Sequence, residues 1–328
     1  MSDTARFFLR MADDILAGRQ PPMDSYLRLA GLRDEEVLHL LPAADRLRHS
    51  FCGRCIHLCT IVNAKSGQCS ENCAFCAQSR FSRNPGPVYP LKSPAMIREQ
   101  ADKAQNSPIH RFSLVTSGKG LCTAEIETIL AAVSDLKKDR LAYCASLGLV
   151  AGDTLVGLKE AGVSRYHHNL ETSRSFYPAV CTTHSWEERA ATVREAKKAG
   201  LSVCSGGIFG LGESDEQRLE LALELKNLSV DAVPINFLTP IPGTPLESAD
   251  FLTPWRCLKI IALFRFVLPD REILVCGGRE RNLRSLHPLV FSAGASGIMT
   301  GHYLTTEGRQ LHDDLEMLRE LGFMPRQA

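Results

Sequence analysis

Apolar positions in the first 50 residues recur at helical spacing. Phe7, Phe8, Met11, Ile15 and Leu16 fall on one helix face. Pro21-Pro22 interrupts that pattern, and a second stretch runs through Leu27, Leu29, Val37, Leu38 and Leu41. From residue 56 onward the rhythm changes to short β-rich runs that alternate with helical segments. The runs at 56–63, 111–116, 141–147, 165–170, 201–208, 233–238, 273–276 and 297–300 predict eight strands. The punctuation between them agrees. Ser185 with Glu188, and Ser214 with Gln217, read as capping boxes, and Gly200 as a helix stop. Ser93-Pro94 places a cap residue before a first-turn proline, and Asp153 reads as the cap of a helix ending near Gly162. Such alternation implies an α/β fold, either a closed (βα)8 TIM-type barrel or an open doubly wound sheet. Eight strands favour the barrel, with an N-terminal helical extension over 1–50, the barrel over 51–306 and a helical tail over 307–328. In a barrel the ligand site is expected at the C-terminal ends of the strands.

Composition narrows the function classes. The chain has 328 residues with 38 basic against 37 acidic, a net charge of +1, so no electrostatic footprint for nucleic acid or an anionic membrane appears. An apolar fraction of 44% and a charged fraction of 23% are those of a globular chain with a sizeable core. The longest stretch free of Asp, Glu, Lys and Arg, 285–306, is broken by Pro288 and three glycines. It therefore does not read as a bilayer span. The N-terminus carries acidic residues where a signal peptide would be apolar, and the expected location is cytoplasmic. Twelve cysteines in such a chain point to metal or redox chemistry rather than to disulfides.

Cys69, Cys73 and Cys76 form C-x3-C-x2-C directly after the first strand. Three closely spaced thiolates suit an iron–sulfur cluster with one iron left open, since an ordinary electron-transfer cluster takes four cysteines. A zinc knuckle completed by a distant ligand, or plain buried thiols, remain alternatives at this level. Cys144, Cys204 and Cys276 fall in the third, fifth and seventh strands, which feed common interior layers of a barrel. Buried cysteine as a small hydrophobe is the competing explanation.

The cysteine loop, with Phe75 before its last cysteine, resembles the radical S-adenosylmethionine superfamily. The longer run HLCTIVNAKSGQCSENCAFCAQS (57–79) resembles the biotin synthase family within it. So do YHHNLETS (166–173), VCSGGIFGLGE (203–213), VPINFL (233–238) and PGTPL (242–246). The resemblance implies a radical enzyme that converts dethiobiotin to biotin by sulfur insertion. Cys69, Cys73 and Cys76 would hold a [4Fe–4S] cluster that cleaves S-adenosylmethionine to a 5′-deoxyadenosyl radical. Phe75, Gly206, Ile208, Gly210 and Glu213 would lie along that cofactor, Glu171 would hold its ribose and Arg189 would face its carboxylate. Asn169 and Asn236 would hydrogen-bond the cyclic urea of dethiobiotin, as amides suit a ureido group. The resemblance also implies a reducing electron donor such as flavodoxin or ferredoxin, and a homodimer. The alternatives are a hydrogenase-maturation or pyrrolysine-type relative, and a non-catalytic metal scaffold.

The family further implies a sacrificial auxiliary cluster deep in the barrel, [2Fe–2S] in its better-known form, held by three cysteines and an arginine. Cys144 and Cys204 match two of those cysteines. Ser113 stands at the position of the third and Leu274 at that of the arginine, while Cys276 follows two residues later on the same side of the strand. This coordinated change implies a variant auxiliary cluster on Cys144, Cys204 and Cys276, with four irons and one iron site free to carry an extra sulfide. His167 stands where the family usually has asparagine. Cys52 and Cys55 read as incidental thiols, and Cys122, Cys181 and Cys257 carry no signal.

Overall fold

The computed structural model describes residues 2–84, 86–137, 140–304, 306 and 308–326. Three helices come first, α1 (Asp3–Leu16), α2 (Met23–Ala30) and α3 (Leu41–Cys52). The apolar stripe of α1 buries Phe8, Met11, Ala12 and Ile15. Phe8 meets Phe266 edge-on, ring centres 6.1 Å apart, so Phe8→Ala would cost roughly 3–5 kcal/mol.

The repeat then runs β1 (Cys55–Lys65), α4 (Pro94–Gln105), β2 (Arg111–Thr116), α5 (Thr123–Ser134), β3 (Ala142–Ser146), α6 (Gly152–Ala161), β4 (Val163–His167) and α7 (Trp186–Lys198). It continues with β5 (Ser202–Cys204), β6 (Gly207–Phe209), α8 (Asp215–Asn227), β7 (Ala232–Phe237), α9 (Pro254–Val267), β8 (Glu272–Val275), α10 (Arg279–Leu283) and β9 (Gly297–Met299). All pairings round the barrel are parallel, and β1 pairs with β9 through His57–Gly297, Leu58–Ile298 and Cys59–Met299. That closure excludes the open sheet. The fifth strand, expected as one run, is interrupted. β5 pairs with β4 and β7, and β6 resumes the pairing with β7 after Ser205-Gly206.

The expected caps at Ser93, Ser185 and Ser214 form, each accepting a backbone N–H three residues on. Asp153 does not cap α6: Ala151 holds that position, and Asp153 lies in the first turn, where its charge still favours the helix N-terminus. After α11 (Leu311–Glu320) the chain ends on β10 (Met324–Pro325), which pairs with the start of β1. The tail is therefore not wholly helical. Between barrel and helices lies the main core, which holds fully buried Phe112, Tyr166, Phe209 and Phe264. α9 is buried over most of its length, because α2, α3 and α8 pack on its outer side. No helix among the described residues is long and apolar enough to cross a membrane.

Candidate active site

Beyond β1 the chain folds over the C-terminal ends of the strands. Gly67 takes φ +79°, and a Cβ there would meet Val88 Cγ2 at 2.6 Å, so only glycine fits this turn. The Gln78 side-chain oxygen accepts from Ser66 Oγ at 3.0 Å and from Gly67 N at 3.2 Å. Cys69 N donates to Gln78 O, and Arg80 N donates to Cys69 O, at 3.0 and 2.9 Å. Ser79 Oγ donates to Glu71 O at 2.6 Å. These bonds fold the loop on itself and turn Cys69, Cys73 and Cys76, all half-buried, into a cavity of about 420 Å3. Burial pushes the Cys76 thiol up to about 11. A metal is what would take its proton's place at neutral pH.

One wall of the cavity follows β4. Arg189 Nη1 donates to Asn169 O at 2.9 Å and approaches Glu171 Oε1 at 3.4 Å, while its Nε donates to Tyr177 Oη at 2.9 Å. Burial raises the Glu171 carboxyl against the pull of Arg189. Glu171 sits at φ +69°, a left-handed backbone that its side chain tolerates at some cost. Asn169 accepts from Gly206 N through Oδ1 at 3.2 Å. Asn236 donates to Gly207 O at 3.2 Å and accepts from Gly277 N at 2.9 Å. Phe75 and Ile208 pack together in a small apolar cluster with Val180, Leu211 and Leu238.

Thus Phe75, Asn169, Glu171, Arg189, Ile208 and Asn236 surround the same cavity as the three loop cysteines. Gly206, Gly210 and Glu213 lie behind its lining. A Cβ on Gly206 would stand 2.1 Å from Pro234 O, so that glycine serves the approach of two backbones. Glu213 accepts from Gly210 N at 3.0 Å and Leu211 N at 2.8 Å, and pairs with Arg218 at 2.8 Å. Its carboxylate fixes the turn, and its bonds go to that turn and to Arg218.

At the barrel floor Cys204 and Cys276 line the cavity beside Leu274, and Cys144 is fully buried next to Arg111, whose Nη1 lies 3.9 Å from its sulfur. Ser113 Oγ lies 3.4 Å from His167 Nδ1. Burial lowers His167 to about 3, so the ring is neutral, and its Nε2 is buried without a partner. Arg165 pairs with Glu272 at 2.6 Å. Burial pushes Glu272 up, but Arg165 outweighs that and holds it at about 2. The Arg111 Nε is also buried and unpartnered, a donor aimed at no protein acceptor.

Three features escaped the sequence reading. Cys59 lies inside the barrel with Cys204, Leu274 and Cys276. Cys181 sits with His184 against Cys73, the three ligand atoms within 4.8 Å of one another, and His184 Nδ1 lies 2.5 Å from Glu71. Arg111 and Arg165 charge the floor. For Cys59 the signal was present, since the first strand belongs to the same odd-numbered set as the other three. Nothing local marked Cys181. Cys52 and Cys55 line a separate cavity at the opposite end of β1 and take no part in this site.

Residues 65–225 match the Radical SAM superfamily, and residues 234–324 match the Biotin and Thiamin Synthesis associated domain. A biotin synthase of Desulfatibacillum aliphaticivorans is 54% identical over 314 residues, which cover 96% of each chain. One of Geobacter sulfurreducens is 50% identical over 320 residues, 97% of each chain. Among solved structures, methylornithine synthase superposes with a TM-score of 0.83 at 22% identity, covering 96% of this chain and 97% of that one. A maturase of the [FeFe]-hydrogenase gives 0.83 at 17% identity, covering 98% and 75%. At that identity the two structures speak to the fold alone.

Proposed function

The chain belongs to the biotin synthase family of radical S-adenosylmethionine enzymes, and from that premise we propose how its own residues divide the work of turning dethiobiotin into biotin. The [4Fe–4S] cluster with S-adenosylmethionine supplies the hydrogen-abstracting radical chemistry, and an auxiliary iron–sulfur cluster supplies the sulfur.

Cys69, Cys73 and Cys76 fit the first cluster: three half-buried thiols, unpaired as disulfides, converge on one cavity wall. Asn236 and Asn169 both line the same cavity with their amide groups. Their backbone bonds fix each rotamer, so a ureido ring would meet preset donors and acceptors. Glu171 is held by Arg189 through Oε1 and by Asn169 through Oε2, each at 3.4 Å, which orients its carboxyl for a ribose and leaves the remaining Arg189 N–H groups for a carboxylate. The apolar group around Phe75 and Ile208 excludes water from that end of the cavity.

The floor fits an anionic auxiliary cluster. Cys144, Cys204 and Cys276 would hold it, and the orphaned Arg111 Nε offers it a donor. With Leu274 aliphatic, no guanidinium from β8 is available as a ligand, and this supports a four-iron cluster on thiolates. The observation that carries the reading is the single cavity that meets loop thiols at its mouth and strand thiols at its floor. The test is an anaerobic assay with dethiobiotin, S-adenosylmethionine and a strong reductant, read by mass spectrometry. Biotin with about two equivalents of 5′-deoxyadenosine is the expected result. Deoxyadenosine without biotin would sink the assignment of substrate or floor.

A further inference from the structure

A (βα)8 barrel fills its interior with layers of four side chains drawn from alternate strands. Round this barrel, with β5 and β6 counted as one interrupted strand, the odd positions are β1, β3, β5 and β8. Each brings one cysteine inward: Cys59, Cys144, Cys204, and Cys276 at the end of β8. The geometry points to a four-thiolate floor site in which Cys59 is the fourth ligand of the auxiliary iron–sulfur cluster. This rests on the auxiliary cluster assigned above to Cys144, Cys204 and Cys276, and adds a ligand to it.

Strand parity places Cys59 correctly. Leu58 before it belongs to the core between barrel and helices, whereas Cys59 clusters with Cys204, Leu274 and Cys276. The Cys59 and Cys276 thiols interact directly. Cys59 also lies within electrostatic reach of Cys144 and of Cys204, and Cys204 within reach of both Cys144 and Cys276. Backbone carbonyls hold these thiols only loosely, Cys59 on Ile298 O and Cys276 on Leu274 O, each at 3.8 Å. Barrel interiors usually carry bulky branched residues at these positions, and four cysteines leave volume where those would pack. A single buried cysteine is an ordinary small hydrophobe, but a whole layer of them is a ligand set. The charge balance agrees. Arg111 and Arg165 both act on these sulfurs, and Glu272, the one carboxylate among them, is neutralised by Arg165. Each thiol loses its proton when it binds iron, and the two guanidiniums offset the charge that develops.

The test uses full-length protein in which Cys69, Cys73 and Cys76 are alanine, so that only the floor site remains. It is reconstituted anaerobically with iron and sulfide, then read by iron content, Mössbauer spectra and resistance to a chelator. Cys59→Ala is expected to lose iron to the chelator at least about tenfold faster. Cys59→Ser is expected to keep iron with one iron site shifted by an oxygen ligand. Cys257→Ala, which removes a buried thiol from α9, is expected to match the parent. Unchanged iron and spectra in Cys59→Ala would overturn the inference, as would equal iron loss in Cys257→Ala. Cys144→Ala keeps the two readings apart. If it retains the cluster, the floor assignment itself fails; if it loses the cluster while Cys59→Ala does not, only the fourth ligand fails. Should Cys59→Ala not fold, judged by circular dichroism, the Cys59→Ser spectrum decides alone.

Discussion

At the rim of the barrel, Cys69, Cys73 and Cys76 share one loop and stay half-buried; on the floor, Cys59, Cys144, Cys204 and Cys276 come from four strands and are buried. The rim loop is folded by short-range bonds, Gln78 to Ser66 and Gly67, Ser79 to Glu71, and braced by the turn before α7, where Ala74 N donates to Val180 O and Asn72 bonds Thr182 and Thr183. The floor owes its shape to barrel closure, because no two of its cysteines are neighbours in sequence. Rim thiols face a cavity that a cofactor can enter and leave. The floor is charged: Arg111 and Arg165 line the same cavity as Cys59, Cys204 and Cys276, and Arg165 pairs with Glu272. The rim cysteines are thus gathered by one loop and the floor cysteines by closure of the barrel.

The comparison breaks most readily at the cysteines. Cys73→Ala is expected to reduce 5′-deoxyadenosine formation by about a thousandfold or more, while floor iron stays bound. Cys204→Ala is expected to do the reverse, keeping deoxyadenosine within about tenfold of the parent and abolishing biotin. Chromatography of both products, with iron analysis, would decide; if Cys204→Ala lost both products equally, the two sites would not be independent.

Next comes the charged floor. Arg165→Met removes the partner at 2.6 Å from half-buried Glu272, leaving only His57 at 3.4 Å and Arg326 at 3.8 Å, and should cost about 1–3 kcal/mol in urea unfolding of the metal-free protein. The pH dependence has a definite sign. Glu272 is held at about 2, below its ordinary 4.5, so its contribution is present above 4.5 and lost as pH falls toward 2. In Arg165→Met that part of the acid sensitivity should shrink. An unchanged urea midpoint would mean the charged floor carries no structural weight.

Smaller effects belong to the substrate wall. Asn236→Ala removes the acceptor for Gly277 N and one ureido partner, and should weaken dethiobiotin binding by about 1–3 kcal/mol. Steady-state kinetics would show this as a raised KM for dethiobiotin with that for S-adenosylmethionine unchanged. Least of all, His167, neutral because burial lowers it to about 3, should add no inflection to the pH–rate profile between pH 6 and 8. The profile of His167→Asn should therefore overlay the parent's in that range.

The sequence was most legible where structure is local. Eight strands, the caps at Ser93, Ser185 and Ser214 and the cysteine loop follow from neighbouring residues and appear in the fold. The break between β5 and β6 was not legible, because it answers to Gly206 meeting Pro234 of another strand. Asp153 was misread for the opposite reason: several residues near a helix start can cap it, and the backbone chose Ala151. Cys181 carried no local signal and gained its place through the turn before α7, which carries it to Cys73.

What the sequence determined by itself is the chemistry at the rim. Three thiols at fixed spacing after a strand fall within one short loop, so the sequence alone gathers them, and residues 180–184 only brace that loop from outside. What only the tertiary structure decided is the floor. Whether Cys59 belongs with Cys144, Cys204 and Cys276 depends on strand parity and on the β1–β9 closure that brings the two ends of the sheet together. No spacing along the chain records that closure, because it is a property of the whole ring.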